Sequence, residues 1–92
     1  MTPDKPLTLI IFENDWCAQC YTQRPIINSI QQKFASELDV KMINVERNAA
    51  LADKYQIYSA PSLILLKRGQ VVEKITRFIE KQPLATVINY YL

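Results

Sequence analysis

Histidine is missing from all 92 residues, and glycine occurs once, at Gly69. Without histidine there is no Ser-His-Asp triad, no Cys-His nucleophile pair and no imidazole-ligated metal site. One glycine cannot build the glycine-rich loops that cradle a phosphate or a dinucleotide. No apolar run approaches the roughly 18 residues of a membrane span. Charge of one sign is also scarce: eleven basic and nine acidic residues leave a net +2. That excess is too small and too scattered for a nucleic-acid stripe. What remains for chemistry is two cysteines, carboxylates, lysines, arginines and tyrosines.

The rest of the composition is ordinary, with 49% apolar and 22% charged residues, and residues 1–92 suit one domain. After Met1-Thr2-Pro3-Asp4-Lys5-Pro6, the apolar stretch Leu7 to Phe12 contains Thr8 and is ended by Glu13. It is too short for a secretory signal. The expected location is the cytoplasm, where a cysteine pair is more often catalytic or metal-binding than a structural staple.

Alternation of patterns gives the order β-α-β-α-β-β-α. Leu7 to Glu13 is nearly continuously apolar, as in a strand covered on both faces. Asn14-Asp15-Trp16 carries helix-capping residue types. A helix is expected from Cys17 to about Leu38, with Ile27, Ile30, Phe34 and Leu38 at near-helical spacing and a kink at Pro25. Val40 to Glu46 reads as a second strand, Ala49 to Tyr55 as a short helix and Leu63 to Lys67 as an apolar strand. Arg68-Gly69 turns the chain into Val71 to Ile75. Glu80 to Leu92 is the last helix, with Leu84, Val87, Ile88 and Tyr91 on one face. This α/β order implies a mixed four-stranded sheet with helices on both faces.

The chemical signal is Trp16-Cys17-Ala18-Gln19-Cys20, after a buried strand and at a helix start. Cysteines three apart there can close a disulfide within one turn. The first thiol sits by unpaired N–H groups and the positive end of the helix dipole, which favour the nucleophilic thiolate. The second is placed to attack a mixed disulfide once it forms. Other readings stay open: a zinc shared between two chains, or two buried, inert cysteines. Haem attachment needs a histidine where Tyr21 stands.

With these residues the sequence resembles the thioredoxin family, in a minimal, glutaredoxin-sized version. Trp16-Cys17-Ala18-Gln19-Cys20 resembles the family's WCxxC, and Pro25 its helix-kinking proline. Ala60-Pro61-Ser62 followed by Leu63-Ile64-Leu65-Leu66 resembles its cis-proline loop and the strand behind it. Lys67-Arg68-Gly69-Gln70-Val71 resembles its hairpin. The resemblance implies a thioredoxin-like fold and thiol–disulfide exchange contributing to cell redox homeostasis. It implies catalytic Cys17 and Cys20, no cofactor beyond their redox-active disulfide, and no metal. Trp16 is expected to pack beside the disulfide and, with Ala60 and Pro61, to shape a groove for an extended partner segment. The implied partners are protein disulfides and an electron donor, either a reductase or a small thiol. Neither nucleic acid nor membrane is expected, and a monomer is. A non-catalytic module that binds a partner or senses redox state is the alternative from another class.

The departures are as informative. Few residues precede the first strand, where full-length members carry an extra strand and helix. The dipeptide is Ala18-Gln19. The family's buried aspartate corresponds to Ile11 and its lysine partner to Met42, so an apolar pair is expected to replace a buried charged one. Glu13, two residues past Ile11 and therefore on the same strand face, is the candidate to accept the Cys20 proton. A loop glycine corresponds to Arg77, which brings a permanent positive charge to the groove's rim and makes Arg77 the other candidate modulator.

Overall fold

The computed structural model describes residues 5–92; residues 1–4, part of the stretch weighed above as a leader, lie outside them. The element order is β1 (Leu7–Glu13), α1 (Ala18–Lys33), β2 (Leu38–Asn44), α2 (Ala49–Lys54), β3 (Ser62–Lys67), β4 (Gln70–Ile75) and α3 (Lys81–Tyr91). The four strands form one sheet in the order β2-β1-β3-β4. β1 runs parallel to β2 and antiparallel to β3, and β3 is antiparallel to β4. This is the mixed α/β architecture that the sequence pattern implies.

Strand alternation sorts β1 onto two cores. Leu7, Leu9 and Ile11 join Leu63 and Leu65 of β3 beneath α1 and α3, which contribute Ile27 and Ile30, with Phe34 at the α1 C-cap, and Leu84, Ala85 and Ile88. Ile10 and Phe12 face the other way, with Ile64, and meet Ala52 of α2 and Ile57. Truncating such a buried Leu or Ile to Ala costs about 2–5 kcal/mol.

The helix-to-β2 boundary differs from the sequence expectation. α1 ends at Lys33, and Leu38 belongs to β2. Leu38 follows Phe34 at helical spacing, and its N–H still donates to the Phe34 carbonyl at 2.9 Å. Its side chain, however, is fully buried opposite Leu7 in the parallel ladder. At the other end the strand stops at Asn44 and not Glu46. The Asn44 side-chain oxygen accepts the N–H groups of Glu46 (2.8 Å) and Arg47 (3.3 Å) and turns the chain there. Both ends shift by two residues, so each side chain keeps its expected face.

Two details refine the resemblance. Ile11 and Met42 are register partners, but β2 is an edge strand and Met42 is 43% exposed. The apolar pair is thus only half buried. α1 runs through Pro25, whose ring nitrogen leaves the Tyr21 carbonyl without its helical donor.

The β3–β4 hairpin turns on Arg68 (φ 52°) and Gly69 (φ 83°). Positive φ at both central residues is the type I′ pattern, which suits asparagine then glycine. Nothing lies within 4 Å of a Cβ built on Gly69, so only the backbone demands glycine there. Arg68→Asn should therefore raise the melting temperature. Gly69→Ala should lower stability by about 1–2 kcal/mol. Thermal unfolding of the two variants by circular dichroism checks the opposite signs.

Candidate active site

β1 and β3 are antiparallel neighbours, with Phe12 opposite Ser62. The end of β1 and the start of β3 therefore release their loops from the same edge of the sheet. The β1 loop carries the cysteines. It is held at its base by the Val45 N–H, which donates to the Glu13 carbonyl at 2.9 Å. Asn44 donates from its side-chain nitrogen to the Asp15 carboxylate at 3.0 Å, and the Asn14 side chain accepts the Trp16 N–H at 3.0 Å. Three short polar residues thus shape the turn into the helix.

Cys17 is the N-cap of α1 in an extended conformation, and its Sγ accepts the Cys20 N–H at 3.1 Å. The two are joined in a disulfide, with Cα atoms 5.2 Å apart, inside the usual span for such a bond. Cys17 is 8% exposed and Cys20 2%. Both are buried, Cys17 the less so. On reduction, the N–H that now meets Cys17 Sγ faces a sulfur that can carry negative charge at a helix N-terminus. Ala18 and Gln19 between them are exposed.

The β3 loop carries a cis peptide bond between Ala60 and Pro61. Ala60 is half-buried and Pro61 buried. Ser62, also buried, donates its hydroxyl to the Ser59 carbonyl at 2.7 Å and closes the turn. Upstream, Gln56 takes φ 55° just past the Tyr55 C-cap of α2. The Ile57 N–H reaches back to the Ala52 carbonyl at 2.8 Å, which buries Ile57 and delivers an exposed Tyr58 to the loop. A hollow of about 470 Å³, lined by residues that include Arg47, Leu51 and Lys54, lies at the start of α2 and contains neither cysteine.

A family model described as thioredoxin matches residues 2–90. The chain belongs to the thioredoxin family. Thioredoxin from Staphylococcus aureus is 32% identical over 84 residues, which cover 91% of this chain and 81% of that protein. Among solved structures, a thioredoxin variant from Halobacterium salinarum superposes with a TM-score of 0.89 at 28% identity, covering 95% of this chain and 75% of that one. Thioredoxin-2 of a malaria parasite shares the fold, with a TM-score of 0.90 at 21% identity over 97% of this chain and 86% of that one. As a thioredoxin-family member with a CxxC disulfide, the protein is a thiol–disulfide oxidoreductase, a protein-disulfide reductase. Thioredoxins act on protein disulfides and are themselves reduced by a reductase.

Around this thioredoxin-family disulfide the other candidate residues are placed as follows. Trp16 is 92% exposed; it does not pack beside the disulfide as the sequence reading expected. The Asn14 turn holds its backbone, and the indole extends into solvent. Glu13 does share the Ile11 face, but its carboxylate is not free. Arg24 donates to both oxygens, at 3.0 and 2.9 Å. The hydrogen bond and the charge of Glu13 raise the Arg24 pKa. The Arg24 guanidinium also lies 4.8 Å from the Tyr21 ring centroid. Arg77 is exposed, two residues past the end of β4. Among the described residues no cluster of three or more His, Cys, Asp or Glu side chains could hold a metal ion, and no helix is long and apolar enough to cross a membrane.

Two residues of the site escaped the sequence reading. Arg24 had no local signal, because its partner is eleven positions away on another element. Gln23 is 1% exposed, and its amide holds the Ile79 backbone at both N–H (2.9 Å) and C=O (3.0 Å). The series Cys20, Gln23, Ile27, Ile30, Phe34 keeps a steps-of-three-and-four spacing, so periodicity could have found it. The Glu13–Arg24 pair joins the two flanks of the cysteine loop. Arg24→Gln should therefore speed amide hydrogen exchange at Asp15, Trp16 and Cys17 and leave Ile27 and Ile30 unchanged. Exchange read by mass spectrometry checks this.

Proposed function

We propose that residues 1–92 act as one thioredoxin-like domain in which Cys17 is the nucleophile and Cys20 the resolving thiol. The observation that carries this reading is the cap itself. Cys17 ends the loop as the less buried cysteine, and its Sγ faces the Cys20 N–H, while Cys20 sits one turn inside α1.

The Cys17 thiolate attacks one sulfur of the partner disulfide. The Cys17–partner bond forms, the partner's own S–S bond breaks, and its second sulfur leaves as a thiolate that takes a proton from solvent. Cys20 loses its proton and attacks Cys17 Sγ. The Cys17–Cys20 disulfide forms, the Cys17–partner bond breaks, and the first partner sulfur leaves as a thiolate that takes up a proton in place of the one Cys20 released. Two electrons and two protons have then passed from the dithiol to the partner. A reductase or a small thiol restores the dithiol, and the chemistry needs no cofactor beyond the cysteine pair.

Ala60 and Pro61 form one wall of the groove and Trp16 a projecting lip, against which an extended partner segment lies. Glu13, held by Arg24, is the β1 carboxylate on the Ile11 face, four residues before Cys17. Its role is to receive the Cys20 proton, directly or through water. Arg77 modulates the rim. One chain is the reacting unit, and its setting is the cytoplasm; neither nucleic acid nor membrane takes part.

With limiting iodoacetamide, reduced protein should be alkylated first at Cys17; preferential labelling of Cys20 reverses the roles. Cys20→Ser should accumulate a Cys17 mixed disulfide with insulin, and Cys17→Ser should abolish insulin reduction by dithiothreitol above background. Insulin reduction by dithiothreitol with no cysteine-dependent acceleration would favour the non-catalytic binding module. Glu13→Gln should slow resolution of the mixed disulfide at least about tenfold if the carboxylate takes the proton. Stopped-flow measurement against pH reads that step, and an unchanged rate and profile removes Glu13 from the mechanism.

A further inference from the structure

The loop after β4 is tied at both ends to parts of the cysteine site. At one end the Thr76 carbonyl accepts the Ser59 hydroxyl at 3.2 Å, on the loop that carries Ala60 and Pro61. At the other end the Ile79 backbone is held by Gln23, three residues after Cys20 on α1. Only Arg77 and Phe78 lie between these two anchors. Arg77 is at most about 4 Å of chain from Thr76 and about 7 Å from Ile79. Its backbone is strung between the cis-proline loop and the helix of the cysteines.

The charges flanking the cysteine loop are unevenly settled. Glu13 has both oxygens on Arg24. Asp15 accepts from Asn44. Arg24 is committed to Glu13 and covers Tyr21. Among the described residues Glu13–Arg24 is the one ion pair, so Arg77 stands exposed at this rim with its charge unmatched. A guanidinium is permanently charged and presents a planar fork that fits a carboxylate.

We propose that Arg77 makes the protein prefer disulfides that carry a carboxylate beside the scissile bond. The inference rests on the reading of Cys17 and Cys20 above and adds the substrate class. Two sources supply this chemistry: an acidic residue next to cysteine in an extended protein segment, and the carboxylates of glutathione disulfide. An exposed guanidinium–carboxylate contact supports a preference of about 3- to 5-fold, which salt screens.

The test compares kcat/KM for matched substrates at low and high ionic strength. One arm uses a peptide disulfide with Glu beside the cysteine and its Gln counterpart. The other uses glutathione disulfide and the neutral hydroxyethyl disulfide. The native chain should favour the Glu peptide over the Gln peptide by about 3- to 5-fold, and the ratio should fall towards one at high salt. Arg77→Gln should bring the ratio to one, and Arg77→Glu should invert it. A matching shift in the glutathione arm makes the small disulfide a substrate of the same contact; a shift in the peptide arm alone assigns the contact to protein partners. Ratios that do not respond to Arg77 in either arm overturn the proposal and leave the cysteine mechanism standing. Failure of the native chain to reduce even the Gln peptide would instead take down the mechanism and the proposal together.

Discussion

β1 is paired on both edges and covered on both faces, and every later feature is measured from it. Leu7, Leu9, Ile10, Ile11 and Phe12 are all buried. Its backbone has β2 on one side and β3 on the other, so neither edge is left for water. A strand so enclosed cannot slip by one residue without exchanging its two cores. Its end at Glu13 is therefore placed with little freedom, and the cysteine loop starts from a fixed point. The price of that enclosure is a continuous apolar run, which needs helices on both faces to be soluble.

From that point the site is assembled by short polar contacts rather than by apolar burial. Asn44 turns the chain at the end of β2 and reaches Asp15 on the cysteine loop. Ser59 and Ser62 close the cis-proline turn, and Ser59 also holds Thr76. Gln23 binds both backbone groups of Ile79, and no buried side-chain polar atom among the described residues lacks a partner. Each bond is worth only about 0.5–1.5 kcal/mol, but a buried polar group left without one costs more. The contacts consequently set geometry: three loops from separate elements are held at one edge of the sheet.

Electrostatics at that edge also depend on pairing. Two carboxylates flank the cysteines in sequence, and counted as free charges they would oppose a thiolate. Folding ties one to a guanidinium and the other to an amide. The Arg24 pair offsets the Glu13 charge where a thiolate forms, whereas the neutral Asn44 amide orients Asp15 without offsetting its charge, and the exposed Arg77 stands on the β4–α3 loop.

Local patterns were enough for much of this. The nearly continuous apolar run of β1, the WCxxC spacing at a helix start and the Arg68-Gly69 turn are each properties of a few adjacent residues, and local sterics and capping act on such stretches directly; the cis bond before Pro61 was expected only from the family resemblance. The limits of α1 and β2 were not legible in the same way. Leu38 fits a helical period after Phe34, and only its burial opposite Leu7 assigns it to the strand. The half-exposed Met42 was hidden because exposure follows from β2 being an edge, which is a fact about the whole sheet. Trp16, Glu13, Arg24 and Gln23 show the same division. The chain names the residue types, but an ion pair across eleven positions and a clamp across fifty-six exist only when the elements pack. Short-range chemistry was determined by the sequence alone; long-range pairing was decided by the fold, because contacts between distant residues carry no local signature.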